Sequence, residues 1–137
     1  LSIAVVLAWE PKYLLLDEPT LGQDRAGRDA MIDIVRKLRE EGRTLVIATH
    51  DVEFVSELSP RVVLMGNGRV LADGRADEVL ADEKLLREAR VLPPQSVVIS
   101  SRLEAMGVKR TPSIEDLHIQ LRNLLVSAGG CGEPEAR

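Results

Sequence analysis

The side chains whose types and spacing could do chemistry are Asp17, Glu18, Asp24 and His50. Asp17 and Glu18 stand together at the end of the apolar run Tyr13-Leu14-Leu15-Leu16, and Pro19-Thr20 follows. The run is too short for a helix in water and does not alternate, which predicts a strand buried on both faces, as at the centre of a parallel sheet. Its two carboxylates then fall at the carboxyl end of the strand, the edge where ligands sit in open α/β sheets. Adjacent carboxylates beside a hydrophobic strand are costly unless a cation or a hydrogen-bonding partner compensates them. A Mg²⁺ ion carrying nucleotide phosphates would do so. A solvated Asp-Glu-Pro turn is the plainer alternative.

Thr44-Leu45-Val46-Ile47-Ala48 predicts a second buried strand, with Thr49-His50-Asp51 directly after it. If the two strands are parallel neighbours, His50 emerges at the same sheet edge as Asp17 and Glu18. A neutral imidazole both donates and accepts, so it could couple a phosphate to Glu18. Asp51 suits the N-cap of a helix over Val52 to Leu58 rather than a nucleotide contact. Asp24 could cap the next helix in the same way.

These stretches carry a family resemblance. Leu14-Leu15-Leu16-Asp17-Glu18-Pro19-Thr20 looks like the Walker B segment of an ATP-binding-cassette (ABC) ATPase. Leu21-Gly22-Gln23-Asp24 sits where that family has its D-loop, although Leu21, Gln23 and Arg25 depart from the usual residues. Ala48-Thr49-His50-Asp51 resembles the H-loop, or switch. The resemblance implies the C-terminal part of a P-loop NTPase (RecA-like) ABC ATPase domain, an α/β fold with a parallel βαβ core, a β-hairpin and a small helical appendage. It implies ATP and Mg²⁺ as ligands. Asp17 would hold the metal through its water shell, Glu18 would be the general base or water-orienting group, His50 would clamp the γ-phosphate, and Asp24 would reach a second ATPase subunit, homo- or heterodimeric.

The elements that must position these residues follow from patterning. Leu1 to Trp9 is small and apolar nearly all round and predicts a buried helix stopped by Glu10-Pro11. Leu1-Ser2 is not the start of the family's Leu-Ser-Gly-Gly-Gln signature, because it lies too close to Asp17 and Ile3-Ala4 replace the glycines. From Arg25 to Glu41, Met31, Ile34, Val35 and Leu38 recur at helical spacing, with Gly42 as the stop. Strand, helix and strand make one right-handed parallel βαβ unit. Arg61 to Met65 and Arg69 to Asp73 flank Gly66-Asn67-Gly68, a hairpin signal, with Gly74 ending the hairpin, which in the family closes the sheet. Short helices are expected around Asp77 to Leu80 and Glu83 to Arg90.

Leu92-Pro93-Pro94-Gln95 marks a boundary between an ATPase part, residues 1–90, and a helical appendage, residues 91–128. In the appendage a helix from Ser96 to Met106 ends at Gly107, and Thr111-Pro112 opens another with proline at its first position. Ile114, Leu117, Leu121, Leu124 and Leu125 form its apolar stripe, suited to core packing or to a partner interface. The boundary and the two helices look like the tail of energy-coupling-factor ATPases, the type that drives vitamin and metal-ion uptake. Residues 129–137 read as a disordered tail.

Composition narrows the remaining classes. The chain has 137 residues, enough for one domain or a piece of one, and a single Trp, Tyr and Phe, so its core must be aliphatic. A net charge of −4 with both signs interspersed gives no nucleic-acid or anionic-membrane surface. The single cysteine, Cys131, permits no disulfide within the chain. No apolar run approaches the ~20 residues of a membrane span. No secretory signal is visible. The family resemblance implies a peripheral location on the cytoplasmic face of the cell membrane. Leu1 in place of Met, and the absence of a Gly-x-x-x-x-Gly-Lys-Ser/Thr phosphate loop, lead us to expect a C-terminal fragment that does not hydrolyse ATP alone.

Three functions fit. The first is the ATPase subunit of a membrane importer, docked on integral membrane subunits. The second is a soluble ABC ATPase of DNA repair or translation, although the compact hairpin and short tail favour transport. The third is an inactive remnant or interaction module. Neither the transported substrate nor the dimer type can be read from the sequence.

Overall fold

The computed structural model describes residues 3–128, apart from the side chains of Ala4 and Ala128. The readings placed on Leu1-Ser2 and on residues 129–137 lie outside the described residues. The chain divides into two compact units, the first ending at Leu58 and the second starting at Ser59.

The first unit runs α1 (Ile3–Leu7), β1 (Tyr13–Asp17), α2 (Arg25–Glu40), β2 (Thr44–Ala48) and α3 (Val52–Leu58). The two strands pair in parallel, with Leu14 opposite Leu45, Leu15 opposite Val46 and Asp17 opposite Ala48. The βαβ order expected from the sequence is therefore present. Helix α2 forms because Asp24 caps its first turn, its apolar residues share one stripe, and Lys37 and Arg39 complement the dipole of its last turn. The buried stripe is Met31, Ile32, Val35 and Leu38. Ile32 was not in the expected stripe, and Ile34 is only half-buried. Gly42 reverses the chain at φ +78°, a conformation that favours glycine.

Met31, Ile32, Val35, Phe54 and Leu58 form the core of this unit, and Ile3, Leu45 and Ile47 pack against it. That packing corrects the expectation of strands buried on both faces. Leu14 is 2% exposed, but its neighbour Leu15 is 80% exposed, and Val46, paired with Leu15, is 59% exposed. Among the described residues the sheet has two strands, and its core-facing residues alternate with exposed ones, which is the period-2 pattern of a half-covered sheet. Helix α1 is likewise not buried all round. It has five residues, and Ile3 packs on the core while Val5 and Val6 are exposed.

The second unit opens with the antiparallel hairpin of β3 (Arg61–Gly66) and β4 (Arg69–Arg75). Asn67 and Gly68 both take positive φ, as the tight turn requires. Among the described residues the hairpin is a two-stranded sheet of its own, and the expected closure of the parallel sheet is not seen among them. Nor does Gly74 end it: Gly74 pairs with Val62, and the ladder continues to Arg75. Gly66 has a steric reason, since a Cβ there would lie 2.9 Å from the backbone of Ala89.

Helices α4 (Ala76–Ala81) and α5 (Glu83–Glu88) follow, then α6 (Gln95–Arg102) and α7 (Ile114–Ala128). Two boundaries differ from expectation. The α6 helix stops at Arg102, and a 3₁₀ turn over Glu104–Met106 leads to Gly107 at φ +87°. Pro112 is not the first residue of α7, because the Ser113 hydroxyl accepts from Asp116 N at 3.1 Å and caps the helix after it. Ser96 Oγ donates to Pro112 O at 2.6 Å and Thr111 N donates to Ser100 Oγ at 3.2 Å, pinning the approach to α7 onto α6. Of the α7 stripe, Leu117 is buried, while Ile114 and Leu125 are exposed.

Candidate active site

The parallel register brings the ends of β1 and β2 to one rim. The ladder runs one step past the strands, where Glu18 N donates to Ala48 O at 2.8 Å. Glu18 takes φ +44°, and its carbonyl accepts from Leu21 N at 3.1 Å to close the turn that follows. The Glu18 carboxylate meets the β2 loop through three contacts. Thr49 Oγ1 donates to Oε2 at 2.9 Å, His50 N donates to Oε1 at 3.1 Å, and His50 Nδ1 lies 2.7 Å from the same Oε1. Two residues far apart in sequence are thus joined, as the sheet-edge argument expected.

Each partner changes the other's protonation. The hydrogen bond from His50, reinforced by Thr49, holds the Glu18 carboxyl below its ordinary value against a desolvation that pushes it up. The hydrogen bond to Glu18, and then its charge, raise the His50 imidazole. The His50 side chain remains 72% exposed, so its remaining edge faces solvent.

Asp17 lies at the same strand end and is exposed, and among the described residues its side chain enters no hydrogen bond or ion pair. Asp24 is not part of the rim contacts. Its Oδ1 accepts from Gly27 N at 2.8 Å, so its local task is the α2 cap. Asp51 caps α3, accepting from Phe54 N at 3.0 Å. Sequence reasoning gave no role to Thr49, whose hydroxyl both donates to Glu18 and accepts from Asp51 N at 3.1 Å. A small hydroxyl residue directly after a strand and before His50 was the available signal.

Among the described residues, no three His, Cys, Asp or Glu side chains are arranged to hold a metal ion. A closed protein cage is therefore not built here. One unpaired carboxylate at a strand end fits a cation that keeps its waters and takes further oxygens from phosphates, which is how Mg²⁺ is commonly held. Asp17 is the residue that fits.

No family model matches the chain. Individual proteins do. The energy-coupling factor transporter ATP-binding protein EcfA2 of Methanospirillum hungatei is 39% identical over 108 residues, 79% of this chain and 27% of that protein. The cobalt import ATP-binding protein CbiO of Rhodobacter capsulatus is 46% identical over 93 residues, 68% of this chain and 33% of that protein. The solved structure of cbiO1 from Clostridium perfringens, described as part of the ABC transporter complex cbiONQ, superposes with a TM-score of 0.53 at 37% identity, covering 77% of this chain and 38% of that one.

The chain belongs to the ABC-transporter ATP-binding proteins.

Its α/β core, a parallel sheet with packed helices, is that of the P-loop NTPase fold as ABC ATPases carry it. This ABC chain spans roughly a quarter to two fifths of the length of the relatives just described. Its acidic doublet and histidine occupy one rim of that core.

Proposed function

We propose that this chain supplies the water-positioning side of an ATP-hydrolysing site in an ABC importer, with residues 1–90 forming the ATPase part and residues 91–128 a helical appendage. The observation that carries the reading is the 2.7 Å contact between His50 Nδ1 and Glu18 Oε1 at the end of the strand that carries Asp17, whose carboxylate has no partner among the described residues. The ATP-binding relatives, with their cobalt-import and energy-coupling-factor names, support transport over the soluble alternative.

Bound Mg²⁺ would neutralise charge on the phosphate oxygens, and Asp17 would hold it through water. Glu18 would orient the attacking water. Three hydrogen bonds and a lowered pKa make its carboxylate a weak proton acceptor but a fixed one, so orientation is the larger part of its work. His50 would meet the phosphate with the ring edge that does not face Glu18. With Nδ1–H directed at Glu18, a neutral ring has only an acceptor left at Nε2, which cannot donate to a phosphate oxygen. An imidazolium, which the contact with Glu18 favours, would donate from both nitrogens. Asp24, beyond its cap, would reach a second ATPase subunit, and integral membrane subunits would be the partners at the cytoplasmic face of the membrane. Among the described residues no helix is long and apolar enough to cross a membrane.

The chain has no phosphate loop, so the isolated polypeptide should show no appreciable Mg²⁺-dependent ATPase activity. The test is a chimera that places the matched 93-residue stretch into the Rhodobacter capsulatus protein. The chimera should hydrolyse ATP. Glu18→Gln within it should lose roughly 10²–10⁴ in turnover and keep nucleotide binding. Unchanged turnover would remove Glu18 from the reaction.

A further inference from the structure

Behind the Glu18–His50 pair lies a second polar set. Thr20, two residues after Glu18, is 8% exposed, and its Oγ1 donates to Asp51 Oδ2 at 3.1 Å. Asp51, next to His50, uses its other oxygen to cap α3. Arg28 of α2 brings Nε to 3.6 Å from the same Asp51 Oδ2 and Nη2 to 3.4 Å from Glu57 Oε1. Arg28 Nε is buried without a hydrogen-bond partner, so it acts on Asp51 by charge. The loop after β1, the loop after β2 and helix α2 therefore converge on one carboxylate.

The arrangement has a mechanical consequence. Glu18 sits in the left-handed region, where a residue with a side chain is held only if its surroundings over-determine it. Beyond strand pairing and the turn bond from Leu21 N to Glu18 O at 3.1 Å, its side chain is restrained by its contacts to Thr49 and His50, and they involve an exposed imidazole. The Thr20–Asp51 bond ties the same two loops together from the buried side.

We propose that Thr20, Asp51 and Arg28 form a positioning clamp that fixes the separation of the two loops and thereby holds Glu18 against His50. The proposal rests on the reading of that pair as the reacting rim, but its test needs no nucleotide. None of the three touches the reacting groups; they are positioning residues.

The experiment is heteronuclear NMR of the purified chain, reading the ring nitrogens of His50 above its titration and the exchange of its backbone amide. In the unaltered chain, Glu18 should hold the neutral ring as the Nδ1–H tautomer and protect the amide. Thr20→Val keeps the volume but loses the donor. It should shift the ring toward the Nε2–H form that free imidazole side chains favour and speed amide exchange by about tenfold or more, as in a locally opening segment. Thr20→Ser keeps the hydroxyl and should preserve both signals. Asp51→Ser retains a capping oxygen for α3 but cannot reach Thr20 or Arg28. It should reproduce the Thr20→Val result and decides the matter if Thr20→Val fails to fold. A folded Thr20→Val or Asp51→Ser chain with the unaltered signature, or a Thr20→Ser chain that loses it, would overturn the clamp. If the chimera test fails while these signals move as expected, the clamp stands and the hydrolytic reading falls.

Discussion

Phe54 is the residue on which the geometry of the first unit depends most. It is the only phenylalanine in the chain, is 1% exposed, and packs with Met31, Ile32, Val35 and Leu58. Its own N–H is capped by Asp51, so the core is three residues from the loop that carries His50. Burying a phenylalanine removes about 150–250 Å² from water, or roughly 4–6 kcal/mol at 25 cal/mol per Å². The alanine that replaces it keeps a little of that burial, and measured Phe→Ala changes in cores cost about 3–5 kcal/mol. The unit ends at Leu58, and a stability of roughly 0.05–0.15 kcal/mol per residue gives it about 3–9 kcal/mol in all. Phe54→Ala should therefore leave the unit marginal or unfolded. The assay is urea unfolding followed through amide signals from α2 and β2, so that the second unit does not mask the result. The control is Val126→Ala in α7, where a 71% exposed side chain should cost no more than about 0.5 kcal/mol. A Phe54→Ala unit within about 1 kcal/mol of the unaltered chain would refute the assignment of this core, since the packing argument allows no such tolerance.

Two further outcomes follow from the rim and the helix cap. The raised imidazole contributes stability that is complete below its ordinary value of 6.5 and is lost as pH rises through its folded value. The lowered carboxyl contributes stability that is present above its ordinary 4.5 and is lost as pH falls through its folded value. Together they place the pair's greatest effect between those two ordinary values. The difference in urea midpoint between the unaltered chain and His50→Gln should peak there and shrink on both sides, and a difference that grows steadily toward alkaline pH would contradict the pairing. Asp24→Ala should destabilise the first unit by about 1 kcal/mol and Asp24→Asn by only a few tenths, measured by the same urea titration; equal losses would mean that Asp24 is held by something other than its cap.

The convergence of Glu18 and His50 was legible because apolar runs of strand length, separated by one helix with a cap and a glycine stop, have few arrangements other than a parallel pair. Asp51 as a cap was legible for the same local reason. The burial of Leu15 and Val46 was misjudged, because an unbroken apolar run looks the same whether its second face is covered or not. Helix ends around Leu103 and Pro112 moved by a few residues because capping depends on which hydroxyl, here Ser113, reaches the first free amide. The Thr20–Asp51–Arg28 set was invisible, since nothing in local patterning says which buried hydroxyl will face which carboxylate across two loops.

The backbone at Glu18 gives the sharpest way to separate strain from hydrogen bonding. A side-chain-bearing residue at φ +44° costs on the order of 1–2 kcal/mol relative to glycine. Glu18→Ala removes the contacts to Thr49 and His50 but keeps that strain; Glu18→Gly removes both. If the left-handed conformation is imposed by the backbone, through the ladder bond from Glu18 N to Ala48 O and the turn bond from Leu21 N to Glu18 O, the glycine variant should be more stable than the alanine variant by about 1 kcal/mol. Equal stabilities would mean that the backbone relaxes once the carboxylate is gone, so that the side-chain contacts create the conformation rather than exploit it. In the first outcome the fold presents a fixed turn on which a carboxylate is mounted, and the chemistry is borne by a strained scaffold that exists without it. In the second, Glu18 builds its own position, and any substitution there would move His50 as well as remove a charge.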